Sequence, residues 1–435
     1  MLRRLLAAAL LTPLSLGAQG VADGGARPVS LEEAIKLAQR NAPQVVAARG
    51  QMRSSDAAVR TAMGTFIPTL NMSFGGNYQK GVTIVPTGGA GRIDTPWNFS
   101  RSLTSNLELF DGGRRWFNVQ SARASQLTAE SNERLQRFQV ATEVKQQYFN
   151  VLAARESRAA AEAQLRQSEE QLKSATARVR AGAATVSDSL RSIIQVGNAR
   201  LAVLTADNNL RVANANLTRL VGTPFPVTAE EGSLLSVPAS PIDSATLAPL
   251  TETAPSVQSA RAQVNAAIAT ERSARTSYLP TFSVGGTYSA NRSDVAFAPN
   301  SGDFRSQRSL RLTLSYPLFN GLQREENVIR ARITEDNARA QLRDAQLTVQ
   351  QQITQYLGVL RLALERAAIQ VASIAAAEED LRVQNQRYAL GSSTLLDVLT
   401  SQSQLNSARY ALIQARYDAR VAKAQMEAVL GRDIQ

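Results

Sequence analysis

The sequence has 435 residues, with 48 Lys and Arg against 36 Asp and Glu, and a formal net charge of +12. It contains no cysteine and no histidine, which excludes disulfides, Cys/His zinc sites, thiol nucleophiles and histidine-based triads. Carboxylate chemistry would need paired acids, and no such cluster occurs, so no catalytic, metal or cofactor site is expected. The basic residues are scattered, which favours a solvated surface over nucleic-acid binding.

Residues 1–20 have the pattern of a secretory signal peptide. Two arginines precede the apolar run from Leu5 to Leu16, and a small-x-small sequence follows at Ala18-Gln-Gly20. No later stretch of about 18 apolar residues occurs. We therefore expect an exported chain, and any part of it that spans a membrane must be β-structure.

The first structured region is predicted to be a helix followed by two strands. An amphipathic helix is expected from Leu31, with a kink at Pro43. After Pro68 the apolar residues recur at every second position, and they do so again beyond a Gly/Pro/Thr-rich loop at 79–98. Alternation over about ten residues is typical of transmembrane strands, although a half-buried soluble hairpin is the alternative. This β-hairpin is placed at 68–110.

Residues 112–222 are predicted to form a hairpin of two very long helices. Neither Gly nor Pro occurs between Gly113 and Gly182, and a helix of that length extends on the order of 100 Å. Apolar residues keep seven-residue spacing on both sides of Gly182, whereas a generic amphipathic face would drift out of that register. Large and small side chains alternate, which predicts coiled-coil packing. The ladders of the return helix are Val196, Val203, Leu210 and Leu217, and Ala199, Ala206, Ala213 and Leu220.

The second half of the chain repeats the order of the first. Phe66-Ile-Pro-Thr returns as Tyr278-Leu-Pro-Thr, and Leu109-Phe-Asp-Gly returns as Leu318-Phe-Asn-Gly. The sequence therefore predicts an internal duplication. Its predicted parts are a first repeat at 21–222, a Pro-rich linker at 223–255, and a second repeat at 256–435 with a β-hairpin at 280–319 and a helical hairpin at 321–431.

Each helical hairpin breaks at the same short pattern, Arg-x3-Gly-x2-Thr-x2-Asp-x-Leu. A Gly that turns the chain, a Thr N-cap and an Asp in the next helical turn are enough to explain a hairpin. The match continues to a Leu beyond the cap, which suggests a docking surface as a second constraint. The residues concerned are Gly182, Thr185, Asp188 and Leu190 at the first tip, and Gly391, Thr394, Asp397 and Leu399 at the second.

Four strands are too few to close a barrel, because natural barrels need about eight or more. An open sheet edge leaves backbone groups unsatisfied in lipid. Either the chain is not a membrane protein, or two, three or four copies share one barrel. In the second case the helical hairpins assemble into a second, helical barrel.

The order and doubling of these motifs resemble the outer-membrane efflux protein family, the TolC-like channels, over essentially all of the mature chain. The resemblance implies a mixed, mainly α-helical fold in a homotrimer. Its strands form a shared 12-stranded transmembrane β-barrel in the outer membrane, and its coiled-coil hairpins form a periplasmic α-barrel. An exported coiled-coil structural protein without a channel is the remaining alternative, and it leaves the four strands unexplained.

The same resemblance implies a passive exit duct of a tripartite efflux pump that exports small molecules such as drugs. The exit duct of type I protein secretion is the alternative. The implied partners are a periplasmic adaptor protein, an inner-membrane transporter and the lipid of the outer membrane, and no nucleic acid.

The resemblance also implies roles for the hairpin tips, as the surface for the adaptor and as the periplasmic entrance. In the family the closed entrance is often held by Tyr–Asp and Arg–Asp contacts with a ring of aspartates. Tyr388 and Asp397 match that gate, whereas Ser393 and Thr400 stand where the Arg and a second Asp are expected. We therefore expect a looser closed state or a different lock.

Overall fold

The computed structural model describes residues 26–79, 97–230, 248–294, 296–299 and 302–432. The expected signal segment at 1–20, most of the loop at 79–98 and the centre of the linker lie outside the described residues. Among the helices within these ranges, none has both the length and the apolar character of a membrane span.

The described chain is mainly helical. Its helices are α1 Leu31–Asn41, α2 Pro43–Gly64, α3 Arg114–Arg180, α4 Val186–Val221, α5 Pro255–Arg275, α6 Gln323–Ala389 and α7 Leu395–Leu430. Its strands are β1 Arg27–Val29, β2 Thr69–Tyr78, β3 Trp97–Phe110, β4 Val227–Ala229, β5 Thr281–Asp294 and β6 Arg305–Ser315. Helices α3 and α6 both have 67 residues, and α4 and α7 both have 36, so the predicted duplication extends to helix length.

The first helix ends at Asn41, and Pro43 starts a new helix rather than kinking the first one. Ala42 is extended (φ −61°, ψ 126°), and Pro43 is the first residue of α2, a position where the missing proline N–H costs no intrahelical hydrogen bond. Ala254 and Pro255 repeat this arrangement at the start of α5. In each half, an Ala-Pro pair thus begins the helix that leads to a strand.

The long helices pack in the predicted coiled-coil register. Each half has one 67-residue helix, which is about 100 Å long at 1.5 Å per residue. Helices α2 and α4 pack against α3, and helices α5 and α7 pack against α6. In α4 the ladder residues Val196, Ala199 and Leu217 are buried. In α7 the same holds for Leu405 and Ala419. Small and large side chains at these positions let the paired helices approach closely, which is the basis of knobs-into-holes packing.

Strands β2, β3, β5 and β6 form one antiparallel sheet in that order. One face carries apolar side chains that are largely exposed in the single chain, including Phe74 at 69% and Leu310 at 75%. The other face carries hydroxyl and amide side chains, and the Ser73 and Ser102 Oγ atoms lie 2.7 Å apart on it. Among the described strands, β2 and β6 each pair on one side only, so the sheet of the single chain has two open edges.

A small parallel pair, β1 with β4, joins the start of the chain to the linker. Tyr148 of α3 lies fully buried beneath it. The Tyr148 Oη atom donates to the Val29 carbonyl at 3.2 Å and accepts from the Glu230 N–H at 3.1 Å. Arg155 Nη2 donates to the Ala229 carbonyl at 2.7 Å. Side chains of the long helix α3 therefore fix this pair midway along its length.

Tyr148→Phe is expected to lower the free energy of unfolding by about 1–2 kcal/mol, the usual loss for a buried hydrogen bond. The loss stays moderate because the Glu230 N–H also donates to the Val29 carbonyl, at 3.1 Å. The measurement is the thermal unfolding midpoint by circular dichroism. Tyr356→Phe is the matched control, since Tyr356 packs against buried apolar side chains of the second repeat and its hydroxyl makes no hydrogen bond within the described residues. Equal shifts in both variants would contradict the assigned role.

Candidate docking and gating site at the hairpin tips

Both helical hairpins turn at a glycine with positive φ, +72° at Gly182 and +73° at Gly391. At the first tip the N–H of Ala183 donates to the Arg178 carbonyl at 2.8 Å, and the Gly182 N–H donates to the Val179 carbonyl at 3.0 Å. This pair of bonds is the Schellman motif, and the second tip repeats it. A Cβ at either glycine would meet nothing within 4 Å. The backbone conformation, and not crowding, therefore requires glycine there.

The helix after each turn begins with a reciprocal cap. Thr185 N donates to Asp188 Oδ2 at 3.1 Å, and Asp188 N donates to Thr185 Oγ1 at 3.3 Å. Thr394 and Asp397 form the same two bonds, at 2.8 and 3.3 Å. This is a capping box, which satisfies two backbone N–H groups at the start of the helix. Both Thr–Asp pairs thus have a structural role, whatever else they do.

Asp397 is a predicted gate residue. Within the described residues, the hydrogen bonds to its carboxylate come from its own tip. Thr394 and Ser393 donate their hydroxyls to Oδ2, at 2.7 and 3.0 Å. These hydrogen bonds hold the pKa of Asp397 below its ordinary value, and the largest contribution comes from Thr394. The stabilisation is therefore present above the unfolded-state pKa and is lost as the pH falls through the folded-state pKa. Ser393, where the family pattern has Arg, thus supports the cap.

Tyr388, the other predicted gate residue, lies against the first hairpin. The Arg178 guanidinium carbon is 4.5 Å from the centre of the Tyr388 ring. The two Nη atoms of Arg178 donate to the Tyr388 carbonyl at 3.4 and 3.3 Å. Burial and the negative charge of Asp188 raise the pKa of Tyr388, and Arg178 opposes them. Arg178, Asp188 and Tyr388 therefore form one group, which we call the cross-hairpin cluster.

Arg178 is a residue that the sequence reasoning missed as a candidate site residue. It is the first position of the repeated pattern, and Arg387 occupies the same position in the second copy. Arg387 donates to the Ser392 carbonyl of its own tip at 3.5 Å, whereas Arg178 reaches across to the other hairpin. The repeated sequence gave no sign of this difference, because it depends on which helices become neighbours.

The predicted docking residues differ in exposure. Leu190 is 57% exposed on the first tip, whereas Leu399 is half-buried beside a shallow groove. Thr400, in place of a second Asp, donates its hydroxyl to the Leu396 carbonyl of its own helix at 2.9 Å. Around these positions several large apolar side chains remain exposed on the single chain. We call them the tip patch: Val186, Leu190, Ile193, Leu390 and Leu396.

The fold combines four membrane-type strands at one end with two long helical hairpins that end in exposed tips, and this is the architecture of an outer-membrane efflux channel subunit. The profile of the family described as "Outer membrane efflux protein" matches residues 34–223 and 249–432. The chain belongs to this family, as its sequence motifs predicted. Channels of this TolC family are trimers and non-enzymatic transport proteins, located in the outer membrane with a periplasmic extension.

Two relatives cover most of the chain. The outer membrane efflux protein BepC of Brucella suis biovar 1 is 25% identical over 398 residues, which are 92% of this chain and 84% of BepC. The pyoverdine export outer membrane protein OpmQ of Pseudomonas aeruginosa is 24% identical over 415 residues, 92% of this chain and 85% of OpmQ. Among solved structures, CusC superposes with a TM-score of 0.80 at 19% identity, over 95% of this chain and 96% of that one, which confirms the fold.

Proposed function

We propose that three copies of this chain form the passive exit duct of a tripartite efflux pump that exports small molecules. The observation that carries the proposal is the sheet of four strands with two open edges. Three such sheets joined edge to edge, β6 of one copy beside β2 of the next, supply twelve strands and leave no edge unpaired. Closure of this kind is what lipid demands of β-structure.

The two faces of the sheet support the same assembly. Leu310, Leu312 and Leu314 of β6 are all more than 60% exposed in the single chain. So large an exposed apolar face is expected to contact lipid. The opposite face is polar and would line a water-filled lumen. The helical hairpins, whose 67-residue helices are about 100 Å long, would continue that lumen into the periplasm as an α-barrel.

The cargo class is supported by the relatives. BepC is named for efflux and OpmQ for the export of pyoverdine, and both align with 92% of this chain. These names favour small molecules over secreted proteins. A passive duct has no energy source of its own, so an inner-membrane transporter would drive export, and a periplasmic adaptor would connect the two proteins.

The adaptor would bind at the hairpin tips. The tip patch exposes five large apolar side chains close to two helix starts, a grouping that marks interaction surfaces more often than an ordinary solvated end. Gly182, Thr185 and Asp188, with Gly391, Thr394 and Asp397, fix the shape of the two tips. Leu190 and Leu399 belong to the proposed contact, Leu190 as an exposed side chain and Leu399 at the groove beside Leu396.

The entrance gate would use the cross-hairpin cluster. Arg178 ties the carbonyl and the ring of Tyr388 to the first hairpin, and Asp188 lies close enough to raise the pKa of Tyr388. Separating the hairpins would break these contacts, so the cluster favours a closed entrance. Asp397 stays a predicted gate residue: a rise in conductance in Asp397→Ala would support that role, and unchanged conductance would leave it as a helix cap.

A gene deletion tests the proposed cargo class. Deletion in the native host is expected to raise the intracellular accumulation of a fluorescent efflux substrate and to lower the inhibitory concentrations of several small antibiotics. A plasmid copy should restore both. The secreted protein profile should not change. Loss of a secreted protein with unchanged drug susceptibility would instead assign the duct to type I secretion.

A further inference from the structure

The polar face of the sheet has an uneven distribution of charge. The register places Ser73, Ser102 and Ser289 side by side on this face, and other Ser, Thr, Asn and Gln residues fill most of it. Over the described strands, its only charged side chains are Glu108, Arg305 and Arg311. The carboxylate is already paired, since Arg114 Nη2 donates to both Glu108 oxygens at 3.2 Å. Two cations therefore decide the charge of this surface.

Arg311 lies in a row without a carboxylate. The pairs that cross the sheet at this level are Arg311 with Gly285, Gly285 with Asn106, and Asn106 with Thr69. Gly285 places no side chain beside the guanidinium, and Arg311 is exposed. Within the described residues Arg311 has no ion-pair partner. The guanidinium charge is therefore available to a solute in the adjacent water.

Arg305 repeats this arrangement closer to the other end of the sheet. Its row is Asn291, Ser100 and Gly75, again without a carboxylate, and its side chain is exposed. Six residues separate it from Arg311, or about 20 Å along a strand. Arg305 forms no ion pair within the described residues. The two arginines thus mark two levels of one polar surface.

Assembly would not neutralise these charges. If the proposed trimer is correct, β2 of a neighbouring copy lies beside β6, and the polar face of β2 presents Thr69, Asn71, Ser73 and Asn77. None of these is acidic. Three copies would therefore place three Arg311 and three Arg305 side chains around one lumen. Rings of basic side chains are the usual device for attracting anions in pores.

We infer that Arg305 and Arg311 form two cationic rings inside the barrel and that they favour anionic solutes, those bearing carboxylate, phosphate or sulfonate groups. This inference rests on the proposed trimeric duct. Low-dielectric walls around a charged lumen concentrate counter-ions, so the rings raise the local concentration of anions at the exit. They act on net charge and do not recognise one particular molecule.

The test compares Arg311→Gln with Arg308→Gln in planar bilayers under a KCl gradient. Arg308 is the matched control, because it lies three residues away on the apolar face, with its guanidinium 5.8 Å from the Tyr288 ring centre. Arg311→Gln is expected to lower the chloride-to-potassium permeability ratio on the order of twofold, and Arg305→Gln should lower it further. The effect should shrink in 1 M salt, where the Debye length is about 3 Å.

Thiol labelling supplies an independent check of the face, since the chain contains no cysteine. A Ser309→Cys variant should react with a water-soluble thiol reagent that carries a sulfonate group. The reaction should be slower when Arg311→Gln is added. A Leu310→Cys variant should be protected by lipid. Pores whose selectivity is unchanged in Arg311→Gln, or changed equally in Arg308→Gln, would overturn this inference alone. Absence of pores would overturn the proposed function and this inference together.

Discussion

Replacement of Arg178 by Glu is expected to open the periplasmic entrance and to raise the mean conductance of a purified trimer on the order of tenfold or more. The substitution removes a cation–π contact worth about 1 kcal/mol and charged hydrogen bonds to the Tyr388 carbonyl worth about 1.5–3 kcal/mol. It also places a carboxylate close to Asp188. Because each 1.4 kcal/mol changes an equilibrium constant about tenfold, we expect the closed state to lose most of its free-energy advantage over the open state.

Arg387→Glu is the matched control for this gate. It changes the same position of the repeated pattern, but within the described residues the Arg387 guanidinium donates to its own tip, to the Ser392 carbonyl. Conductance should therefore stay close to that of the original protein. In cells, Arg178→Glu should increase susceptibility to a large antibiotic that normally does not cross the outer membrane. Equal conductance changes in the two variants, or none in Arg178→Glu, would contradict the cross-hairpin gate.

Leu190→Asp combined with Leu396→Asp is expected to abolish efflux while the trimer and its pores remain. Burying an unpaired carboxylate in an apolar contact costs several kcal/mol, enough to weaken adaptor binding about 100-fold or more. The helices should survive, because both positions are exposed, and Leu396 lies in the first turn of α7, where a negative charge is favourable. Antibiotic susceptibility should rise to the level of the gene deletion.

The docking prediction is checked by chemical cross-linking of the adaptor in cells, followed by purification of the channel. Asn208→Asp is the control, since it adds a similar charge at an exposed site of α4, about 27 Å from Leu190 along the helix. It should retain both cross-linking and efflux. Retention of adaptor cross-linking by the double variant would show that the tip patch is not the contact surface.

Local sequence patterns predicted most of the fold, because most of its elements obey a local rule. Pro68 and Pro280 precede strands with a two-residue period, and Gly182 and Gly391 turn the chain between helices of seven-residue period. The pairing of β1 with β4 was not predicted, since three residues are too few for a period and the partners lie about 200 residues apart in the sequence. Pro43 was expected to kink a helix but begins one, because the backbone of Ala42 is extended.

The candidate site was predicted only in its local part. The caps of Thr185 with Asp188 and of Thr394 with Asp397 involve residues three apart, which a sequence shows directly. The contact of Arg178 with Tyr388 joins two hairpins across 210 positions, and it depends on how the repeats pack together. The arrangement of charge on the polar face of the sheet could not be predicted for the same reason, because the position of Arg311 relative to Glu108 follows from strand register.

The central claim, that three chains make one duct, is tested most directly by the purified protein itself. Outer membranes are extracted with detergent, the particle mass is measured by native mass spectrometry, and the same sample is added to planar bilayers. We expect a mass of three copies of the mature chain and discrete conductance steps from that fraction. A monomer of unchanged fold that gives no conductance steps would contradict the account.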